Sequence, residues 1–533
     1  MKRKRTTQVG TAMLETVKEM NCETGFDCVI VCTSNLAQER YWQERLECTR
    51  GQAAKADALI LAVHEDWAAD GAGNGLGTLY AYMKARDKAA ADNHDLDAFL
   101  ASGHTVGIFH TAGKGTRMAP LPGAENNNKP GVKLPSLVET APGKFSELTI
   151  LEAVIRQTGC YAPKRKGRCS VFWGDQIFIP SVGHLESGAH HADILAKLGP
   201  MPSEEEWILK GLDKYGLISV NKHDEAAQIE KVSFRAAKSI LSGFGENSSI
   251  GPSLGSFSLS KELLAALLLE FKVELNAKTA KMDSDPHFWM PMTLSKEVYV
   301  NVMSSKGVDS NNASAHFDRM SKFKAQLLKS HPEKACIGAV DVGESCYWWD
   351  FGQIQLYKKN IELALDDSQE AEALREYLKI PDKLRVQASN LGDDVTLSDG
   401  SICLASGIRR GNLTASIASR VNSTLCNVSN CILINVTAKS IKANNCVIYN
   451  VVDESDNGLV LPDGAVVTNV FIPGKPKLVQ TSSVTTDGGK MFKSKLTMNP
   501  FSFEDVYKMN QSIDVQEAYA TGAAAHEALQ EHL

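Results

Sequence analysis

The chain has no Cys-x-x-Cys pair, although it carries 12 cysteines in 533 residues. Cys22 and Cys28, and likewise Cys426 and Cys431, stand too far apart for that motif. The thiols therefore read as reduced side chains of a cytoplasmic protein. No stretch approaches the roughly 18 apolar residues of a membrane span, so no membrane segment is expected. The basic run Lys2-Arg3-Lys4-Arg5 leads into Thr6-Thr7-Gln8 rather than an apolar segment, so no secretory leader is expected. The run reads as a solvated terminus, with a nuclear address as the alternative. Positive charge is not in excess either. A net charge of -6 argues against a nucleic-acid surface over the whole chain, while leaving room for a local basic pocket. What remains is 43% apolar and 23% charged residues, the balance of a soluble protein with a real core. The length suits one large domain plus a second.

Strand, loop and helix alternate through the first two thirds. Phe26 to Thr33 reads as a buried strand, Asn35 to Leu46 as a helix and Ala56 to Val63 as a second strand. A glycine-rich segment, Gly71 to Gly77, is expected as a loop, with a helix starting at Thr78. Thr105 to Phe109 is a third strand, followed by a second glycine-rich loop. Further strands are expected at Cys169–Trp173, Gly216–Val220 and Gly255–Leu259, a Leu-rich helix at 260–270 and mostly helix over 280–335. This order predicts an α/β domain with a mostly parallel sheet. Ligands of such sheets bind at the carboxyl ends of the strands.

After about residue 375 the texture changes. From Gln387 to Val452 short apolar pieces recur every four to six residues, among them Val395, Ile402, Ile408, Leu413, Ile417, Val421 and Leu425, separated by Ser, Thr, Asn and Gly. This pattern predicts a stacked parallel β-helix, with an irregular β-sandwich as the alternative. The Asn-x-Ser/Thr triplets at Asn412, Asn422, Asn427 and Asn435 then read as inward-pointing asparagine ladders rather than glycan sites. A polar loop and a terminal helix close the chain.

The most informative stretch runs from Gly107 to Leu121 and on to Lys129-Pro130. A strand leads into Gly113-Lys114-Gly115-Thr116-Arg117. Glycines let successive backbone N–H groups face one phosphate chain, and arginine adds a bidentate charge. Two familiar phosphate loops are excluded. Gly115 stands where a P-loop needs Ser or Thr after its lysine. Met118 stands where a dinucleotide fingerprint needs its third glycine.

The run Ala112-Gly-Lys-Gly-Thr-Arg117-Met-Ala-Pro-Leu121, with Lys129-Pro130 beyond it, resembles the signature of the sugar-1-phosphate nucleotidyltransferases (NDP-sugar pyrophosphorylases). Four further stretches follow in the family's order: Gly174-Asp175; Tyr215-Gly216 with Glu230-Lys231; Ser253 to Leu259 around Gly255; and Tyr347-Trp-Trp-Asp350-Phe-Gly352. Val232 replaces the usual proline after Lys231. The last stretch is close to the ADP-glucose pyrophosphorylase pattern. The first hundred residues, with Phe26 to Ser34 and Gly73 to Leu79, look instead like the GDP-fucose pyrophosphorylases.

The resemblance implies an α/β fold: a Rossmann-like, mixed-sheet nucleotidyltransferase (GT-A-like) domain followed by a parallel β-helix. Boundaries are expected at 1–25 for an N-terminal helix, 26–375, 376–475 and 476–533. It implies nucleotide contacts from Ala112, Gly113, Lys114, Gly115, Thr116 and Gly174, with Arg117 and Lys129 as the charges on the triphosphate. The sugar phosphate would meet Gly216, Glu230, Lys231 and Gly255, and Mg²⁺ would meet Asp175 and Asp350. The partners would be a nucleoside triphosphate and a sugar 1-phosphate, with no nucleic acid and no membrane, and the β-helix would serve homo-oligomer contacts. Base and sugar stay open. Two rivals stand beside this reading. One is a catalytically inactive regulatory paralogue that binds a sugar nucleotide. The other is a fused β-helix acyltransferase, which would need a catalytic histidine, and residues 387–470 contain none.

Overall fold

The computed structural model describes residues 2–20, 23–68, 71–111, 113–183, 185–381 and 385–533. The first strand, Cys28–Thr33, is a fully buried apolar run, the composition of a strand covered on both faces. It pairs in parallel with Leu59–His64 on one side and Val106–His110 on the other. Val106–His110 pairs in parallel with Arg168–Trp173. Beyond that strand the sheet changes sense. Asn247–Ser260 is antiparallel to Arg168–Trp173, His190–Ala196 and Gly216–Asn221, and Ala226–Glu230 closes a hairpin with Gly216–Asn221. Ala335–Asp341 returns in parallel beside His190–Ala196.

The mostly parallel sheet expected from the strand order is therefore corrected: the structure is α/β with a mixed sheet, as the resemblance implied. Residues 222–225 are too short a link for the crossover that parallel neighbours need.

The glycine-rich segment 71–77 is also corrected. It is not a loop before a helix, because the helix already runs Gly73–Ala91. The Gly75 and Leu76 amides donate to the Met282 carbonyl at 2.9 and 3.2 Å. A Cβ on Gly75 would stand 3.0 Å from that oxygen and 3.0 Å from the Phe288 ring. Glycine thus lets this helix start press against the 282–288 segment.

From Val386 onward, parallel strands stack in a ladder. Ile402, Ile417, Ile432 and Val447 stand in one column, and Cys403, Ala418, Leu433 and Ile448 in the next. The first column joins the core of the α/β unit, together with Leu134 and Tyr357. The second fills the ladder's own interior. Successive side chains point to opposite faces of a strand, so one apolar run serves both cores. Leu478–Ser483 pairs antiparallel with Ala465–Val470.

The asparagines do not point inward as expected. Asn435 and Asn450 sit at left-handed corners (φ 54° and 53°), and the Asn435 amide donates to Asn450 Oδ1 at 2.8 Å. Asn412 and Asn427 stack on the flank, where the Asn412 N–H donates to Asn427 Oδ1 at 3.1 Å. Asparagine tolerates αL better than other residues with a Cβ, and that explains its place at the corners.

The inward polar column is instead Ser401, Ser416, Cys431 and Cys446. The Ser416 N–H donates to Ser401 Oγ at 3.1 Å and the Cys431 N–H to Ser416 Oγ at 3.1 Å. Ser416→Ala would leave the buried Cys431 N–H without an acceptor. It is expected to lower unfolding stability by about 1–3 kcal/mol, read as a lower urea midpoint. An unchanged midpoint would show that the column carries no stability.

Candidate nucleotide and sugar-phosphate site

One row of the sheet, at the carboxyl ends of its parallel strands, collects most of the expected residues. Glu230 is opposite Gly216. His110 is opposite both Trp173 and Cys32. Between these pairs runs the 247–260 strand, where Pro252 faces Leu217 and Phe257 faces Val171. That register carries Gly255 to the level of Trp173. Gly255 is left-handed (φ 74°), and a Cβ there would collide with the Trp173 indole nitrogen. Trp173 leads directly into Gly174 and Asp175.

The loop after His110 turns twice in the left-handed region, at Gly113 (φ 125°) and Gly115 (φ 62°). Nothing lies within 4 Å of a Cβ built on Gly113, so that position faces open space. A Cβ on Gly115 would stand 2.9 Å from Lys129 Cβ. The two glycines bring the loop against the lysine that the Lys129-Pro130 pair carries. A short 3₁₀ turn, Thr116–Met118, buries Met118 and leaves Arg117 exposed.

Four charged groups from distant parts of the chain meet beside this loop. Lys129 Nζ pairs with Asp175 Oδ2. Gln176–Ile179 pairs antiparallel with Tyr347–Asp350, which sets Asp350 opposite Gln176. The Phe351 amide donates to the Asp175 carbonyl at 2.9 Å, and the Gly352 amide to Asp350 Oδ1 at 2.6 Å. A Cβ on Gly352 would stand 3.0 Å from Asp175 Oδ2, 3.0 Å from Asp350 Oδ1 and 3.8 Å from Arg117 Nη2. The carboxylates and the guanidinium thus border one small volume. Burial, and then the Asp175 charge, push the Asp350 carboxyl above its ordinary range, against the Gly352 N–H, Lys129 and Arg117.

At the other end of the row, a Cβ on Gly216 would stand 2.6 Å from Glu230 Oε2, 3.0 Å from Gln228 Nε2 and 3.8 Å from Asp285 Oδ2. Lys231 is left-handed (φ 51°), and its ammonium pairs with Glu230 at 3.1 Å. Asp285 opens a π-helical turn, Asp285–Trp289. Its carboxyl is pushed up to about 7, first by burial and then by Glu230 and Asp283, with Lys306 opposing.

Several expectations meet a specific obstacle or a different setting. Ala112 lies outside the described residues. The Gly174 amide already donates to the His110 carbonyl at 3.1 Å, so it is engaged by main chain. Lys114 does not point toward the carboxylates: its ammonium lies 5.5 Å from the centre of the Tyr507 ring. Thr116 is roofed by the C-terminal region, where a Cβ on Gly488 would stand 2.5 Å from its carbonyl oxygen.

Sequence reading missed that roof, along with Gln228, Asp285, Glu65 and the His110 side chain. Burial lowers the His110 pKa to about 4, and its Nε2 lies 2.8 Å from Thr78 Oγ1. Glu65 Oε1 accepts from the Ala72 amide at 2.5 Å. Glu65 follows a predicted strand, a signal that could have found it. Asp285 sits within a stretch read as helix, with nothing local to mark it.

Among the described residues, no group of three or more His, Cys, Asp or Glu side chains is arranged to hold a metal ion. No described helix is long and apolar enough to cross a membrane. No family model and no curated protein matches the chain. Among solved structures, a chain described as a glucose-1-phosphate thymidylyltransferase from Bacillus anthracis, in complex with a sucrose, aligns over 50% of this chain and 99% of its own. The identity is 11% and the TM-score 0.24, a likeness that carries no argument for fold or activity.

A raised carboxyl pKa has a definite linkage. Between the ordinary aspartate range near 4 and about 7, the folded chain holds a proton on Asp285 that the unfolded chain has released. Stability therefore falls as pH rises through that window. Asp285→Asn removes the titration. Relative to wild type, its Tm is expected to gain about 1–3 °C between pH 4 and pH 8. A difference that stays constant, or moves the other way, would contradict the assignment.

Proposed function

We propose that the chain is a Mg²⁺-dependent nucleotidyltransferase that joins a nucleoside triphosphate to a sugar 1-phosphate, releasing pyrophosphate and an NDP-sugar. One observation carries the reading. Arg117, Lys129, Asp175 and Asp350 border one small volume beside a glycine-rich loop at the carboxyl ends of the parallel strands. The divisions 26–375 and 376–475 are taken as the catalytic unit and a parallel β-helix, with a cytoplasmic location and a homo-oligomer formed through the β-helix. The 1–25 helix and the 476–533 region flank them.

The donor set fits Mg²⁺. That ion binds through one or two carboxylates plus substrate phosphates and waters rather than an all-protein cage. Asp175 Oδ2 and Asp350 Oδ1 flank one point, and no third carboxylate or histidine joins them in a metal-binding group among the described residues. These two aspartates would hold the ion, which when bound neutralises phosphate oxygens.

The chain's own residues do the rest. The Gly113–Thr116 backbone cradles the triphosphate. Arg117 and Lys129 carry the charge that builds as pyrophosphate leaves. Lys129 is poised for this because its present partner is Asp175, and a phosphate gives it a second anion. Gly216 and Gly255 line the sugar pocket, Glu230 accepts from sugar hydroxyls and Lys231 pairs with the sugar phosphate. The sugar phosphate oxygen attacks the α-phosphorus in line. That oxygen is already ionised, so no general base is required, and positioning dominates.

Pyrophosphate release, measured over ATP, GTP, UTP, CTP and dTTP against glucose, fucose, mannose, galactose and N-acetylglucosamine 1-phosphates, tests the reading. Release with one pair, abolished by EDTA, supports it. Silence across the panel in protein that still binds a nucleotide sugar supports the regulatory paralogue instead. Asp175→Ala and Arg117→Ala are each expected to lower kcat by roughly 10² or more, the scale of losing one preorganised charge contact. Near-native turnover in Asp175→Ala would remove the metal assignment.

A further inference from the structure

Gln228 and Glu230 are alternate residues of one strand, so their side chains share a face. Both reach the space that Gly216 leaves by having no side chain, and Asp285 reaches it from the π-helical turn. Gln228 is only 1% exposed, yet neither its Nε2 nor its Oε1 has a hydrogen-bond partner. A buried polar group without a partner costs about 1–3 kcal/mol. An amide placed in this way, between two carboxyl groups, implies a ligand that completes its bonds. Hydroxyl groups do so, since each donates to a carboxylate and accepts from an amide N–H.

The turn carrying Asp285 is itself held in place. The Asn74 N–H donates to Asp283 Oδ1 at 2.9 Å, and Asn74 Oδ1 accepts from the Ser284 N–H at 2.6 Å. The glycine-rich helix start thus anchors this turn.

We propose that Asp285, with Gln228 beside Glu230, determines sugar specificity by selecting an uncharged ring with vicinal hydroxyls and rejecting uronic-acid 1-phosphates. Asn74 is a positioning residue for this group. The inference rests on the nucleotidyltransferase reading and adds the class of sugar. Two carboxyl groups and a carbonyl oxygen offer acceptors to neutral hydroxyls. Glu230 repels a sugar carboxylate, and the neighbouring Lys231 ammonium is tied to Glu230.

The test is direct binding, by calorimetry, of glucose, galactose, mannose, fucose and glucuronic acid 1-phosphates. Wild type would be compared with Asp285→Ala, Asp285→Asn, Gln228→Ala and Asn74→Ala. The five nucleoside triphosphates are titrated in parallel. In wild type, at least one neutral sugar 1-phosphate is expected to bind about tenfold or more tighter than the glucuronic acid compound, a gap of about 1.4 kcal/mol. Asp285→Ala should weaken the neutral sugar about tenfold and narrow that gap. Nucleotide affinity should stay within about twofold. Gln228→Ala and Asn74→Ala should follow in the same direction. The isosteric Asp285→Asn decides the matter should Asp285→Ala fail to fold.

Two results would overturn the inference while leaving the proposed activity standing: an Asp285 variant that binds the neutral sugar like wild type, or a wild type that binds glucuronic acid 1-phosphate equally well. Wild type that binds nucleotide but no sugar 1-phosphate would overturn both.

Discussion

Two aspartates far apart in the chain become neighbours because Tyr347–Asp350 pairs antiparallel with Gln176–Ile179. The pairing is only four residues long, yet the site depends on it. It places Asp350 opposite Gln176 and lets the Phe351 amide reach the Asp175 carbonyl. Two carboxylates this close repel each other, and the structure offsets the repulsion with Lys129 and Arg117. The same cations that neutralise the carboxylates are those a triphosphate would recruit. The site is therefore balanced electrostatically before any ligand arrives, as preorganised charge requires.

Lys129 can serve this balance because the segment around it is fixed from several directions. The Trp42 indole donates to Asn128 Oδ1 at 3.1 Å. The Asn127 amide donates to the Tyr507 carbonyl at 2.7 Å. Glu125 receives the hydroxyls of Tyr449 and Tyr519 and pairs with Lys133. The Lys133 amide in turn donates to the Tyr449 hydroxyl at 2.9 Å. These partners come from the N-terminal helices, the strand ladder and the C-terminal helices. The ladder also shares one hydrophobic core with the α/β unit. Ladder and C-terminal region thus act as scaffold for the segment beside the glycine-rich loop, and their packing sets where the lysine stands.

The sheet supplies the second kind of order. The antiparallel 247–260 strand brings Gly255 to the level of Trp173, and the 222–225 hairpin brings Glu230 opposite Gly216, both toward the edge that carries the glycine-rich loop. Gly216–Asn221 runs in the same sense as Arg168–Trp173, since both are antiparallel to the 247–260 strand; Gly216 opens its strand near this edge because Asn247–Ser260 is long enough to extend beyond it. The short 222–225 link therefore has a consequence for the site as well as for the topology.

The local features were legible in the sequence because short-range physics decides them. A buried apolar run makes a strand, and glycines beside Thr116 and Arg117 make a tightly turned loop. Regular apolar spacing after residue 386 makes stacked parallel strands. From those residues the sequence also singled out Arg117, Lys129, Asp175 and Asp350. It did not reveal that the Gly174 amide is taken by His110, that Lys114 turns toward Tyr507, or that the Gly71–Gly77 segment opens a helix against Met282. Nor did it mark Gln228 and Asp285. Each of these depends on a partner distant in the chain, and such contacts exist only once the sheet has assembled. The sequence determined which residues could do chemistry; the tertiary structure decided which of them share a volume, because strand pairing and core packing alone set distances between remote positions.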